Sequence, residues 1–243
     1  IRPGVFSECT GSALAIIATV DHSFKDPSEQ MPCHYHGTPD TYMAHTFTTG
    51  GMAVKWFRDQ FYQGAVEAEA HGGINAYEVM DADASPVPPA SDGLVVLPHM
   101  QGAMAPENNP KARGVFFGAT LGTRKGHFVR ALLESVAYIV RRNLDVLSGM
   151  GIAVDEIRSL GGGAKSRLWS QIKADVTGLP VVVMENDEAA CLGAAIVAGV
   201  GVGVFDSLES AVDNMVRVKH RYSPNADAVE AYDRSYRKYL QLY

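Results

Sequence analysis

Between Ile157 and Ser166 the chain reads Ile-Arg-Ser-Leu-Gly-Gly-Gly-Ala-Lys-Ser, a short apolar strand running into three consecutive glycines and then into a helix. Gly161, Gly162 and Gly163 leave the backbone bare, so a ligand can lie directly against it. The helix that follows opens with free N–H groups pointing outward, which suits a polar or anionic ligand group. The competing reading is a plain tight turn, which three glycines make costly in chain entropy. A second cluster with chemistry in its side chains is Cys33-His34-Tyr35-His36. His-x-His on a strand puts two imidazoles on one face, as a metal needs, but no second cysteine pair and no His-Glu-x-x-His helix accompanies it. A surface loop is the expectation there, and no metal ligands are assigned.

Two phosphate-binding patterns can be tested on the glycine turn. A P-loop requires Gly-x-x-x-x-Gly-Lys followed by Ser or Thr, and here Ser159 and Ala164 stand where its two glycines belong. A dinucleotide fingerprint fits further: Gly161 and Gly163 are correctly spaced, and Glu185 follows the next strand. Its third glycine is Ser166, and only one βαβ unit is visible around it. An NAD-binding Rossmann domain of an oxidoreductase is therefore kept as an alternative.

The elements that must position this turn can be read from periodicity. Val5 to Thr10 and Ala13 to Val20 are two short apolar strands around a Thr10-Gly11-Ser12 turn. Asp21 to Asp40 reads as loop, Gly51 to Gln60 as helix, and Gly72 to Asp92, rich in Gly, Pro, Ser and Asp, as connecting loop. His127 to Leu147 is a long amphipathic helix with Phe128, Leu132, Val136, Ile139 and Val140 on one face. Strand Ile157–Leu160, helix Lys165–Thr177, strand Val181–Met184 and helix Asp187–Ala198 follow, and Ser223-Pro224-Asn225 caps a closing helix. Strands alternating with helices indicate an α/β domain.

Composition narrows the partners. Of 243 residues 47% are apolar and 20% charged, an ordinary globular mixture, and a net charge of −6 disfavours nucleic acid and anionic membrane. Three separated cysteines imply no disulfide framework and fit a reducing cytosol. The start at Ile1 carries no signal-peptide pattern and is not read as a natural start. Ala189 to Phe205 is too short and too broken by glycine to span a bilayer.

Beyond the turn, the residues Trp169, Gln171, Ala174-Asp175 and Gly178-Leu179-Pro180-Val181 extend a pattern that closely resembles the adenine-binding segment of the FGGY carbohydrate kinases. Glu188-Ala189-Ala190-Cys191-Leu192-Gly193-Ala194-Ala195 is similar to their Glu-Ala-Ala-x-x-Gly-Ala-Ala helix. Gly114-Val115-Phe116-Phe117-Gly118, His127-Phe128 and Ala131-Leu132-Leu133-Glu134 resemble the family's C-terminal signature, departing from it at Ala119 and Leu132. The similarity runs from about Gly4 to Tyr243, and xylulokinase-like members are the nearest in appearance.

This resemblance implies a fold of two actin-like (ribonuclease H-like) domains with ATP and sugar meeting in the cleft between them. Residues 1–243 would be the second, ATP-binding domain, a mixed sheet flanked by helices, and the first domain lies outside this chain. Thr10 and Gly11 resemble the family's phosphate hairpin, in which a hydroxyl and adjacent N–H groups hold terminal phosphate oxygens. Gly51 and Lys55 match an element that runs along the nucleotide. Lys55 replaces a Gln, and both a phosphate contact and a solvated side chain stay open. Gly162, Gly163 and Ser166 are implied contacts around adenine and ribose, while Trp169 and Val182 are assigned to the core. If Thr10 and Gly163 flank one nucleotide they must converge to within roughly 15 Å, although they lie far apart in sequence.

The implied cofactors are ATP and Mg²⁺, and the implied partners a sugar or polyol and the N-terminal domain, with a homodimer left open and the cytoplasm as location. Gly102-Ala103-Met104-Ala105-Pro106 lacks the charged pair of the family's Gly-Glu-Arg-x-Pro, which leaves the sugar open. A sugar kinase needs a carboxylate beside the attacking hydroxyl. The family's Asp falls upstream of Ile1, so no catalytic residue is assigned here. A non-catalytic actin-like nucleotide-binding module is the remaining alternative.

Overall fold

The computed structural model describes residues 2–243; Ile1, the position from which the upstream carboxylate is counted, lies outside the described residues. Strands β1 (Val5–Thr10) and β2 (Ala13–Val20) form the expected hairpin, pairing antiparallel with Phe6 opposite Ala18. Phe6, Glu8 and Thr10 on β1 and Leu14, Ile16 and Ala18 on β2 are buried, as strand alternation on a one-sided core requires. Beyond β2 the sheet continues with β3 (Cys33–Tyr35) and β4 (Tyr42–Thr49), both antiparallel. The Cys33-His34-Tyr35-His36 cluster is therefore an edge strand with a trailing residue rather than a loop. Among the described residues no group of three or more His, Cys, Asp or Glu side chains can hold a metal.

On the other side of β1 lie β7 (Glu156–Leu160) and β8 (Val181–Met184), parallel to it, and antiparallel β9 (Val218–Tyr222) closes the order β3-β4-β2-β1-β7-β8-β9. A short ribbon of β5 (Val95–Leu97) and β6 (Val115–Phe117) stands apart. Four of the six pairings in the main sheet are antiparallel, and Glu185 spends its backbone N–H on the Arg217 carbonyl. A parallel dinucleotide-binding sheet is not what this chain builds, and the Rossmann alternative is withdrawn on that ground.

Helices α1 (Gly51–Phe61), α2 (Gln63–Ala70) and α3 (Ala76–Ala84) precede the ribbon. The segment Gly72–Asp92, expected as loop, thus contains a helix: the Asn75 side chain caps it by accepting from the Tyr77 N–H at 3.0 Å, and Ala76, Met80 and Ala84 bury one face at four-residue spacing. Helix α4 (Lys125–Gly149) is the central pillar, every residue from Val129 to Val140 being buried, a more enclosed position than a one-faced amphipathic pattern implies. Helix α5 (Arg167–Thr177) follows a 3₁₀ turn at Gly162–Lys165 and ends on Gly178, whose φ of 69° permits the left-handed cap. Helices α6 (Ala189–Gly201), α7 (Leu208–Met215) and α8 (Ala226–Leu242) complete the chain, α8 starting at the Asn225 cap.

Helix α6 is unusual in its surroundings. It is built almost wholly of small and aliphatic residues, yet Ile196 is its one buried residue, and Val197, Val202 and Val204 on and beyond it are 61%, 77% and 69% exposed. No helix of the described residues is long and apolar enough to cross a membrane.

Candidate functional site

Parallel pairing of β1 with β7 sets Cys9 opposite Leu160, so the hairpin turn after β1 and the glycine turn after β7 leave the sheet side by side. The carboxyl ends of adjacent parallel strands are where open α/β sheets form ligand crevices. Thr10 and Gly163 come closer than a shared nucleotide demands: a Cβ placed on Gly163 would lie 2.8 Å from the Thr10 Cβ and 3.2 Å from the Trp169 ring. Gly161 adopts φ 75°, and a Cβ there would press on the Thr10 carbonyl oxygen at 3.0 Å and the Cys9 sulfur at 3.1 Å. Gly162 differs, with no protein atom within 4 Å of such a Cβ. Its face of the turn is open.

The hairpin is fixed from its far side by α1. No side chain caps that helix; the Gly11 and Ser12 carbonyls accept from the Gly51 and Met52 N–H groups, each at 2.9 Å. A Cβ on Gly51 would run into the Gly11 carbonyl. At the glycine turn Ser166 caps α5, its hydroxyl accepting from the Trp169 N–H at 2.9 Å.

These turns and helix ends surround one cavity of about 460 Å³, within the range of small-ligand sites. Thr10, Gly11, Gly51, Lys55, Gly162, Gly163 and Ser166 all line it. Of the two options open for Lys55 its side chain takes the solvated one, and the Thr10 side chain is turned differently from the expectation. The Lys55 ammonium is held by Asp59 at 2.5 Å, one turn along α1. The Thr10 hydroxyl faces inward, donating to the Glu8 carboxylate at 2.5 Å, and the residue is 1% exposed. With its proton already committed, that hydroxyl is no phosphate donor in this conformation, and what Thr10 presents to the cavity is mainly backbone.

The far wall comes from α3 and was not foreseen: Asn75, Tyr77, Glu78, Met80 and Asp81 line the cavity opposite the glycines. A signal existed in Asn75 followed three residues later by Glu78, a helix-start pattern within a segment otherwise dominated by turn formers. Burial pushes the Asp81 carboxyl above the ordinary carboxylate range, and a hydrogen bond with Ser166 pulls it partly back. Trp169 is buried, with its indole N–H donating to the Leu133 carbonyl at 2.9 Å, but it also lines the cavity, and Val182 is buried in β8.

The acidic residues that follow the hairpin in sequence do not return to its turn. Asp21 sits at the other end of β2, about 27 Å along the strand from the turn by strand rise, paired with His22. Asp26 accepts from the Ser28, Gln30 and Met31 N–H groups and so organises its own loop. The segment Pro98–Pro110 contributes nothing to the main cavity. Its Ala103, Met104 and Ala105 lie against His45 and Phe47 of β4 in a second, open cavity of about 380 Å³.

A family model described as "FGGY family of carbohydrate kinases, C-terminal domain" matches residues 11–202. The gluconokinase of Bacillus subtilis (strain 168) is 33% identical over 233 residues, which is 96% of this chain and 45% of that protein. A xylulose kinase of Staphylococcus epidermidis is 30% identical over 209 residues, 86% of this chain and 40% of that protein. The crystal structure of xylulose kinase from Rhodospirillum rubrum superposes with a TM-score of 0.87 at 34% identity, covering all of this chain and 47% of that one. The chain spans about half the length of the relatives it matches.

Proposed function

The chain belongs to the FGGY family of carbohydrate kinases, as its C-terminal domain, and from that membership we propose that it is the ATP-binding half of an enzyme that phosphorylates a sugar or polyol hydroxyl. Its mixed sheet flanked by helices is the actin-like ATPase fold. The observation that carries the proposal is the cavity itself. Seven residues singled out from sequence, spread from Thr10 to Ser166, line one pocket at the carboxyl ends of β1 and β7.

In this reading the base and ribose lie along Gly162, Gly163 and Ser166, facing α3, and the phosphates run toward the Thr10-Gly11-Ser12 tip. Transfer of a phosphoryl group asks the protein mainly for positioning and charge stabilisation, and bare backbone at two neighbouring turns supplies the first. Mg²⁺ would arrive with the triphosphate, leaning on phosphate oxygens and waters, as suits a surface with no preformed cage of protein ligands among the described residues. The base that activates the acceptor hydroxyl, and most contacts to the acceptor, would come from an N-terminal half of the kind the relatives carry. The exposed aliphatic face of α6 is the surface we assign to that half. Free cysteines at positions 9, 33 and 191 suit a cytoplasmic enzyme.

The test is calorimetry and turnover on the full-length protein. ATP and ADP should bind, and ADP release should depend on an acceptor, with xylulose and gluconate first in the panel because relatives carry those names. Nucleotide binding without any acceptor-dependent release would favour a non-catalytic nucleotide-binding module instead.

A further inference from the structure

Strand β1 carries a charge where alternation puts core. Glu8 lies between Phe6 and Thr10 on the inward face and is fully buried. Facing it from α5 is Lys173, also fully buried, whose ammonium meets the Glu8 Oε1 at 2.5 Å. Ser159 of β7 donates to the same oxygen, and Thr10 donates to the Oε2 at 2.5 Å. Lys173 Nζ also lies 3.2 Å from the Ser159 hydroxyl and 3.4 Å from the Thr10 hydroxyl, with the centre of the Trp169 ring 4.9 Å away. The network is closed: each hydroxyl donates to the carboxylate and accepts from the ammonium.

A buried ion pair contributes little net stability relative to well-packed apolar residues, so stability alone is a poor reason for this one. Its position suggests another. It ties together β1, β7 and α5 directly beneath the point where the hairpin tip meets the glycine turn, and of its four hydrogen-bonded members, Glu8, Thr10, Ser159 and Lys173, Thr10 is the one that lines the cavity. We propose that Glu8 and Lys173 are positioning residues for the nucleotide: by holding the Thr10 hydroxyl they set the hairpin backbone where the terminal phosphate of ATP is received, and so govern the preference for ATP over ADP. This rests on the reading of the cavity as an ATP site with its phosphates at the hairpin. Thr10 then acts as an anchor, and its backbone with that of Gly11 and Ser12 makes the phosphate contact.

The experiment is a cycle on the full-length protein, with Glu8→Leu/Lys173→Met as a paired apolar replacement, Thr10→Val, and all three together. Thermal melting reports folding, and titrations with ADP and a non-hydrolysable ATP analogue report binding. The paired variant should melt close to the parent, keep ADP affinity within about threefold, and lose at least about tenfold in analogue affinity, a range set by the misplacement of a phosphate-binding backbone. Adding Thr10→Val should cost nothing more. If the paired variant keeps the parent's ATP preference and Thr10→Val then abolishes it, the hydroxyl touches phosphate directly and the proposal falls. Equal losses for ADP and the analogue overturn it as well. Should the paired variant fail to fold, Thr10→Val alone decides, because it leaves the ion pair intact while cutting the anchor: an unchanged preference refutes the proposal. Failure of the underlying ATP reading looks different, since the parent protein itself would then bind neither nucleotide.

Discussion

Two adjacent glycines give the sharpest separation between a turn that serves a ligand and a turn that serves packing. Gly163 has no room for a side chain: a Cβ would stand 2.8 Å from the Thr10 Cβ and 3.0 Å from its Cγ2, against a carbon–carbon contact distance of about 3.5 Å. Gly163→Val must therefore displace Thr10 by at least about 0.7 Å or strain the turn, which as overpacking costs about 1–3 kcal/mol. Gly162→Val meets no protein atom within 4 Å, and no left-handed φ forbids a side chain there, so stability should change by less than about 0.5 kcal/mol. The valine would instead project into the cavity that Gly162 lines. If the nucleotide lies on that backbone, Gly162→Val should weaken ADP and ATP alike by at least about tenfold, or about 1.4 kcal/mol, with the melting curve unmoved. Gly163→Val should lower both stability and nucleotide affinity. Calorimetric titration beside thermal melting of the full-length variants checks both. Parent-like nucleotide binding by Gly162→Val would refute the placement of the ligand, whatever Gly163→Val does.

Three further outcomes are expected. The isolated 243-residue chain should show no sugar-dependent ADP release in a coupled assay, because Glu8, the carboxylate at the hairpin, is buried and paired with Lys173 and the base for the acceptor is expected from an N-terminal half; release abolished by Gly162→Val would mean the acceptor site is here after all. Calorimetry should find adenine nucleotides preferred over NAD, with Glu185→Ala without effect, whereas tight NAD binding lost in that variant would revive a dinucleotide site. His99 is buried against the Tyr243 ring, and burial lowers its pKa to about 4 from an ordinary 6.5. The unfolded chain then takes up a proton there that the folded one refuses, so stability falls as pH drops from 6.5 to 4, by about 3 kcal/mol at most. Denaturant titrations at pH 7 and pH 5 should show a smaller acid loss for His99→Phe, and an unchanged loss would clear His99 of that role.

How much of this was legible in the sequence depended on whether the signal was local. Strand β8 and the Thr10-Gly11-Ser12 hairpin declare themselves through glycine and apolar runs, and helix α5 through its Ser166 cap and its Gly178 stop. Strand β4 hid because its inward positions include Thr46 and Thr48, hydroxyl residues that mask the alternation a one-sided strand normally shows. Helix α3 hid behind the Gly, Pro and Asp around it, and with it went the far wall of the cavity. The orientation of Thr10 was beyond reach for a different reason. Its acceptor, Glu8, stands two residues away, but that carboxylate is held in the core by Lys173, 165 positions from it, and nothing near either residue announces that pairing.

Helix α6 has a consequence for how such a protein is made. A half that precedes this chain, as in the longer relatives, would leave the ribosome first and have time to fold before α6 emerges. The aliphatic face with Val197, Val202 and Val204 would then find its cover already built. Synthesised without that half, the same residues have only other nascent chains and chaperones to meet, and apolar side chains exposed in this way favour association. If the proposed N-terminal half covers these residues, yield of soluble material from the chain alone should depend on co-expression of that half more than on temperature or strain, and polar replacements at Val197 and Val202 should relieve that dependence while weakening the association of the two halves.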